Sequence, residues 1–129
     1  MLTTHVLVVD DHAVVRRLLV SLLQAAGRNW RVSSATGGEQ ALAMLRADPA
    51  DAVVLDLSMP GMSGIELLQR LRAGFGATPA VVLSMHDEGP YRQRAFECGA
   101  DAYVLKDRAD AELVPALCSL LDRRAGVTG

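Results

Sequence analysis

The stretch Ala52-Val53-Val54-Leu55-Asp56-Leu57-Ser58-Met59-Pro60-Gly61-Met62-Ser63-Gly64 decides how the rest of the chain is read. It opens with four apolar residues, meets a single carboxylate at Asp56, and breaks into turn formers. A short, unbroken apolar run closed by turn signals reads as a strand buried on both faces. Asp56 then stands where that strand leaves its sheet. In open parallel sheets, ligands bind just outside the carboxyl ends of the strands. Every other segment is therefore read for what it brings to Asp56.

Similar runs flank this one. Residues 5–9, 30–34, 80–83 and 102–105 read as four more strands. Arg31 and Ser33 give the 30–34 run an alternation that suits an edge strand. Helical patterns lie between the strands. Val15, Leu18, Leu19 and Leu22 mark the apolar face of the first helix, which Gly27 ends. Thr36 with Glu39 reads as a capping box for the second, with Ala41, Leu42 and Leu45 inside and a stop before Pro49. Ser63 with Glu66 reads as a capping box for the third, which carries Leu67, Leu68 and Leu71 and ends near Gly74. Pro90 suits the first turn of the fourth, with Tyr91, Ala95 and Phe96 running to Gly99. The fifth covers about residues 110–122 with Pro115 inside, where a lost backbone donor predicts a bend or a late start.

Strands joined by helices must run parallel, with right-handed crossovers. Five such units give an α/β fold, a flavodoxin-like doubly wound five-stranded parallel sheet of order 2-1-3-4-5. That order sets strands 1 and 3 side by side and leaves strand 2 on an edge.

With 129 residues, half of them hydrophobic, the chain makes one domain with a real core. A net charge of −2 without any block of like charge leaves no electrostatic footprint for nucleic acid. No run is long enough for a membrane span, and the N-terminus lacks the basic region of a signal peptide. Cys98 and Cys118 have no C-x-x-C spacing and read as reduced, buried thiols of a cytoplasmic protein. Lys106 is the one lysine among 13 basic residues, the rest being arginine. A compact point charge differs in use from a planar guanidinium, so this position draws notice.

The strand ends share one rim. Asp10 and Asp11 follow strand 1, Asp56 strand 3, Ser84 strand 4 and Lys106 strand 5. Each has a plain reading as a cap, a turn or a solvated side chain. Together they read as one site. Three clustered carboxylates repel unless a cation joins them, and hard oxygen donors suit Mg²⁺. A carboxylate can also serve as a nucleophile toward phosphorus. The transferred group's oxygens then need neutralising charge, which Lys106 and the Ser84 hydroxyl would supply.

At this point the sequence resembles the receiver domains of bacterial two-component response regulators, over about residues 5–122. The carriers are Val-Val-Asp-Asp-His at 8–12, the 55–64 segment, Leu-Ser-Met-His-Asp at 83–87 and Gly-Ala-Asp-Ala-Tyr-Val-Leu-Lys-Asp at 99–107. Their variants look most like the NarL/LuxR-type subfamily. The resemblance implies that Asp56 is the phosphoacceptor. It implies that Asp10, Asp11, Asp56 and the Ser58 backbone carbonyl bind Mg²⁺ (or Mn²⁺). Ser84 and Lys106 hold the phosphoryl group, Ser84 and Tyr103 are the switch pair, and Ser58 and His86 tune hydrolysis. It implies a sensor histidine kinase as donor and homodimerisation on phosphorylation. DNA would be contacted only through a C-terminal output domain absent from this chain. Chemistry would be limited to self-phosphorylation and autodephosphorylation, so the domain is not a conventional enzyme. Residues 1–122 form the receiver on this reading, and 123–129 a flexible tail or the start of a linker.

Two other readings compete. A phosphatase of the haloacid dehalogenase type shares the aspartyl chemistry, but its nucleophile follows the first strand in a D-x-D pattern, which the adjacent Asp10 and Asp11 lack. A phosphorylation-independent interaction module is argued against by the complete acidic set with Ser84 and Lys106. Three positions depart from the common receiver pattern: Met85 in place of a small residue, which predicts narrower access to the phosphoryl group, Asp107 in place of the proline after Lys106, and Pro115.

Overall fold

The structure, a computed structural model, describes residues 3–87 and 89–124. The tail expected at residues 123–129 lies outside these beyond Arg124.

Strands β1 (Thr4–Val9), β2 (Trp30–Ala35), β3 (Ala52–Asp56), β4 (Ala80–Ser84) and β5 (Ala102–Leu105) alternate with five helices. These are α1 (Ala13–Gln24), α2 (Gly38–Ala47), α3 (Gly64–Phe75), α4 (Gly89–Glu97) and α5 (Ala109–Arg124). All four ladders are parallel, and the sheet order is β2-β1-β3-β4-β5, as the pattern of strands and helices predicts.

Alternation along each strand divides the core into two layers. Val6, Val8, Ala52, Val54, Val81, Leu83 and Val104 point toward α1 and α5, where Leu19, Leu23, Leu113 and Leu117 meet them. Leu7, Val9, Val53, Leu55 and Val82 face α2, α3 and α4 and pack on Leu42, Leu45, Leu67, Leu68, Leu71 and Ala95. β3 and β4 are buried along their whole length, because helices cover both faces and neighbouring strands both edges. Burial of each leucine here is worth about 1.5–3 kcal/mol, so the sheet centre is the firmest part of the fold.

Several local expectations change. Leu18 is 64% exposed, and the buried positions of α1 are Leu19 and Leu23. The helix turns its 19/23 ridge to the sheet and leaves Val14 and Leu18 outside. The Thr36–Glu39 capping box does not form. The N-cap of α2 is Gly37, and Gln40 Oε1 instead accepts from both the Thr36 N–H (2.6 Å) and hydroxyl (2.9 Å). At α3 the cap is as expected, with Ser63 Oγ accepting from Glu66 N at 3.2 Å. Glu66 itself pairs forward with Arg70 at 3.5 Å. A single 3-10 turn (Lys106–Arg108) leads into α5, and Pro115 sits within a continuous helix. Cys98 and Cys118 are half-buried rather than buried. No cis peptide occurs among the described residues, so the Lys106–Asp107 bond is trans.

Arg72 of α3 closes the opposite end of the sheet. Its guanidinium donates to the carbonyls of Gly76, Thr78 and Gly99 and to Asp101 Oδ2, at 2.6–3.0 Å. Asp101 Oδ2 also accepts from Ala80 N at 2.8 Å, so one ion pair joins α3 to the starts of β4 and β5. A Cβ at Gly99 would come within 2.7 Å of Arg72 Nε, and φ there is 108°, so glycine is required on both counts.

Candidate functional site

The strands deliver their polar exits to one rim, and the register sets their depth. Asp56 is the last residue of β3 and pairs with Leu83, while Ser84 ends β4 opposite Leu105. Asp10 follows β1 and extends the ladder by donating its N–H to Ala35 O at 3.2 Å. Lys106 follows β5 directly. The structure brings these side chains together.

Lys106 Nζ stands 3.2 Å from Asp56 Oδ2 and 3.4 Å from Asp10 Oδ2. Asp10 is fully buried, Asp56 is 4% exposed, and the Lys106 side chain keeps 21% exposure. A lysine lying across two buried carboxylates offsets part of the cost of taking them out of water. The remaining carboxylate oxygens are tied to backbone. Asp10 Oδ1 accepts from His12 N at 2.8 Å, and Asp56 Oδ1 from Ser58 N at 3.2 Å. Burial nevertheless raises the Asp56 carboxyl above the ordinary carboxylate range; Lys106 opposes this, Asp10 reinforces it, and the Ser58 N–H opposes it weakly.

Asp10, Asp11 and Asp56 each place a carboxylate oxygen within 4.8 Å of the others. Asp11 is exposed and the other two are buried, so the cluster opens to solvent on one side. Asp10 Oδ2 accepts no hydrogen bond although it is buried. With Lys106 as an ion-pair partner but no hydrogen bond, that oxygen has unused acceptor capacity. Three hard oxygen donors with an open side fit Mg²⁺, which takes few protein ligands and keeps several waters.

Ser84 is 1% exposed, and its Oγ accepts from His86 N at 2.9 Å. Tyr103 is buried, with its hydroxyl donating to His86 O at 2.7 Å. Met85 is 82% exposed and turns outward, so its side chain does not form a lid over the rim. The loop after β3 folds tightly back on itself. A Cβ at Gly64 would lie 2.6 Å from Leu57 Cα, and Gly64 N donates to Leu57 O at 3.0 Å. Gly64 thus works through close approach.

Several supporting residues take roles that the sequence does not specify. His12 is the N-cap of α1, its ring accepting from Val15 N at 3.3 Å. Arg16 reaches back to donate to Asp10 O at 2.8 Å. The i, i+6 spacing from Asp10 gives no cue to this, since the contact depends on the angle at which α1 leaves the strand. Nor does the sequence show the His86 ring stacked on Tyr91 at 4.1 Å, or Arg92 lying 4.6 Å over Tyr103.

The family model of the response regulator receiver domain matches residues 6–118. The chain belongs to that family. The receiver is 38% identical to the transcriptional regulatory protein ResD of Bacillus subtilis over 97% of its length and 50% of ResD's. It is 33% identical to the response regulator UvrY of Escherichia coli O157:H7, over 90% of this chain and 53% of that one. The chain thus spans about half the length of the curated relatives it matches. Among solved structures, a two-component response regulator of the LuxR family from Aurantimonas superposes with a TM-score of 0.86 at 34% identity. That match covers 93% of this chain and 86% of that one. The NarL/LuxR-type expectation is in line with this neighbour and with the NarL receiver of Mycobacterium tuberculosis. No helix among the described residues is long and apolar enough to cross a membrane.

Proposed function

We propose that this receiver is a phosphorylation-dependent switch in a two-component pathway, with Asp56 as phosphoacceptor. The observation that carries the reading is Lys106 Nζ lying between two buried carboxylates, beside a third, at the carboxyl rim of the sheet. Asp56 stands centrally, since β3 lies between β1 with its acidic pair and β4 with Ser84.

Asp10, Asp11 and Asp56, with the Ser58 carbonyl, would hold Mg²⁺ (or Mn²⁺). When bound, the ion supplies charge neutralisation across the carboxylates and the phosphoryl oxygens. A carboxylate oxygen of Asp56 attacks the phosphorus of a kinase phosphohistidine. The P–N bond breaks and the imidazole leaves with its electron pair. Lys106 shifts from bridging carboxylates to contacting a phosphoryl oxygen, and the Ser84 hydroxyl donates to another. Attack by water on phosphorus later breaks the P–O bond and restores the carboxylate. Ser58 and His86, each two residues beyond a site residue, flank the rim and tune that step. The new charge is read through Ser84 and Tyr103 at the face of α4, β5 and α5. On this reading the receiver is cytoplasmic, and its partners are a sensor histidine kinase, a second copy on phosphorylation, and a DNA-binding output domain C-terminal to these residues.

The test is intact mass after incubation with Mg²⁺ and acetyl phosphate. One added phosphoryl group is expected, and none in the Asp56→Asn variant. Equal labelling of the two proteins rules the assignment out.

A further inference from the structure

The first turns of α3 and α4 form a cavity of about 390 Å³ beside the rim, lined by Leu57, Ser58, Ile65, Pro90, Tyr91 and Arg94. Its walls are fixed by the fold. Leu57 is buried, and its N–H donates to Leu83 O at 3.0 Å. Gly64 lets the first turn of α3 come against Leu57, which brings Ile65 to one wall. Tyr91 belongs to α4, and its ring is held by stacking on His86. The lining is aliphatic and aromatic apart from Ser58 and Arg94. Arg94 makes no ion pair or side-chain hydrogen bond among the described residues, whereas Arg92 is engaged by Asp87 and Tyr103.

We infer that this cavity is a binding site for a small aryl or alkyl carboxylate, whose hydrocarbon lies against Leu57, Ile65, Pro90 and Tyr91 and whose carboxylate pairs with Arg94. Ligand sites are mostly apolar spaces of about 300–1,000 Å³ in which a few polar groups fix orientation. Water against apolar walls gains from being displaced, which supplies the drive. A guanidinium fork matches a carboxylate, and it is the one charge in the lining, so it selects an anion. In a parallel α/β sheet the helices run back from the carboxyl rim, so Arg94, a turn beyond Pro90, lies farther from that rim. The ligand's charge is thereby set away from Asp10, Asp11 and Asp56. A stable protein interface uses roughly 20–30 residues a side, far more than line this cavity, which favours a small molecule as the occupant. Ser58 joins the cavity to the rim, since its N–H donates to Asp56 Oδ1 at 3.2 Å. An anion bound here acts on Asp56 through Ser58 and through its added negative charge. The binding site stands apart from the phosphoacceptor reading; its effect on labelling of Asp56 rests on that reading.

The test titrates the whole ¹⁵N-labelled chain with 3-phenylpropionate and with its neutral amide, 3-phenylpropanamide, followed by two-dimensional amide NMR. Saturable shifts are expected at Leu57, Ser58, Ile65, Tyr91 and Arg94, with the acid bound about three- to ten-fold more tightly than the amide. Arg94→Ala is expected to remove that preference while the amide still binds. Ile65→Trp, which fills the cavity, is expected to abolish saturation by both, and amide dispersion checks that each variant folds. No saturable shift, shifts centred elsewhere, or equal affinity for acid and amide in the wild type overturns the inference without recourse to any variant. A second arm follows labelling by acetyl phosphate with Mg²⁺. Saturating 3-phenylpropionate is expected to slow it at least two-fold in the wild type and less in Arg94→Ala. An unchanged or faster rate overturns the link to Asp56. Failure of labelling without ligand removes the phosphoacceptor reading and leaves the binding result standing.

Discussion

Asp56 and Lys106 hold opposite positions in the energetics of the rim. Asp56 is buried beside another buried carboxylate, and its carboxyl is raised above the ordinary value of 3.8, chiefly by burial. A raised carboxyl favours the folded state while it is protonated in both states. Stability is therefore highest below the unfolded value and falls as pH rises through the folded one. In metal-free protein, Asp56→Asn is expected to be more stable than wild type near neutral pH, with the gap closing as pH falls toward 4. Thermal unfolding measured across that window checks it. Lys106→Ala acts the other way, leaving two buried carboxylates with no cation. A loss of about 2 kcal/mol is expected, below the 3–5 kcal/mol typical of a fully buried pair because Lys106 keeps contact with water. Urea denaturation gives the value, and a variant as stable as wild type would show that the bridge contributes nothing.

At the scale of elements, the face each helix buries decides the cost of a substitution. Leu18 and Leu19 of α1 are neighbours and equally apolar, yet one is 64% exposed and the other 5%. Leu19→Ala is expected to cost about 2–5 kcal/mol, and Leu18→Ala under about 0.5 kcal/mol. Equal losses in denaturant titrations would contradict the orientation of α1. Gly64 at the start of α3 is a second case. An alanine there meets backbone atoms of Asp56 and Leu57, which cannot yield as a side-chain tip would. Gly64→Ala is expected to destabilise by about 1–3 kcal/mol and to disturb labelling of Asp56 as well. Both features were only partly legible beforehand. Helical spacing marked an apolar stripe from Val15 to Leu22, but a stripe does not say which edge of it meets the sheet.

For the molecule as a whole, the rim is the place where the sheet's two layers and a cation would act together. Binding of Mg²⁺ to the folded state alone adds about 1.4 kcal/mol at ten times its dissociation constant. For a domain of this size that raises Tm by about 3–6 °C. Wild type is expected to show this rise on Mg²⁺ titration followed by calorimetry, and Asp10→Ala to lose most of it. A rise of equal size in both would place the ion elsewhere. The departures from the common receiver pattern resolve at this scale too. Met85 points to solvent, Asp107 follows a trans bond in a 3-10 turn, and Pro115 is accommodated in α5.

The sequence alone determined the parallel sheet, its order and the set of residues on its rim. These follow from chain connectivity and local pattern: buried runs must be strands, intervening helices force them parallel, and each strand has only one carboxyl end. What tertiary structure decided are contacts whose partners are distant in the chain or depend on the angle between elements. The reach of Arg16 to the Asp10 carbonyl, the five hydrogen bonds of Arg72, and the grip of Tyr91 and Arg92 on His86 and Tyr103 are of this kind. Asp56 was visible as a lone carboxylate at the mouth of a buried strand. That Lys106 Nζ comes within 3.4 Å of both buried carboxylates was not, because spacing along a sequence carries no record of side-chain reach across a sheet.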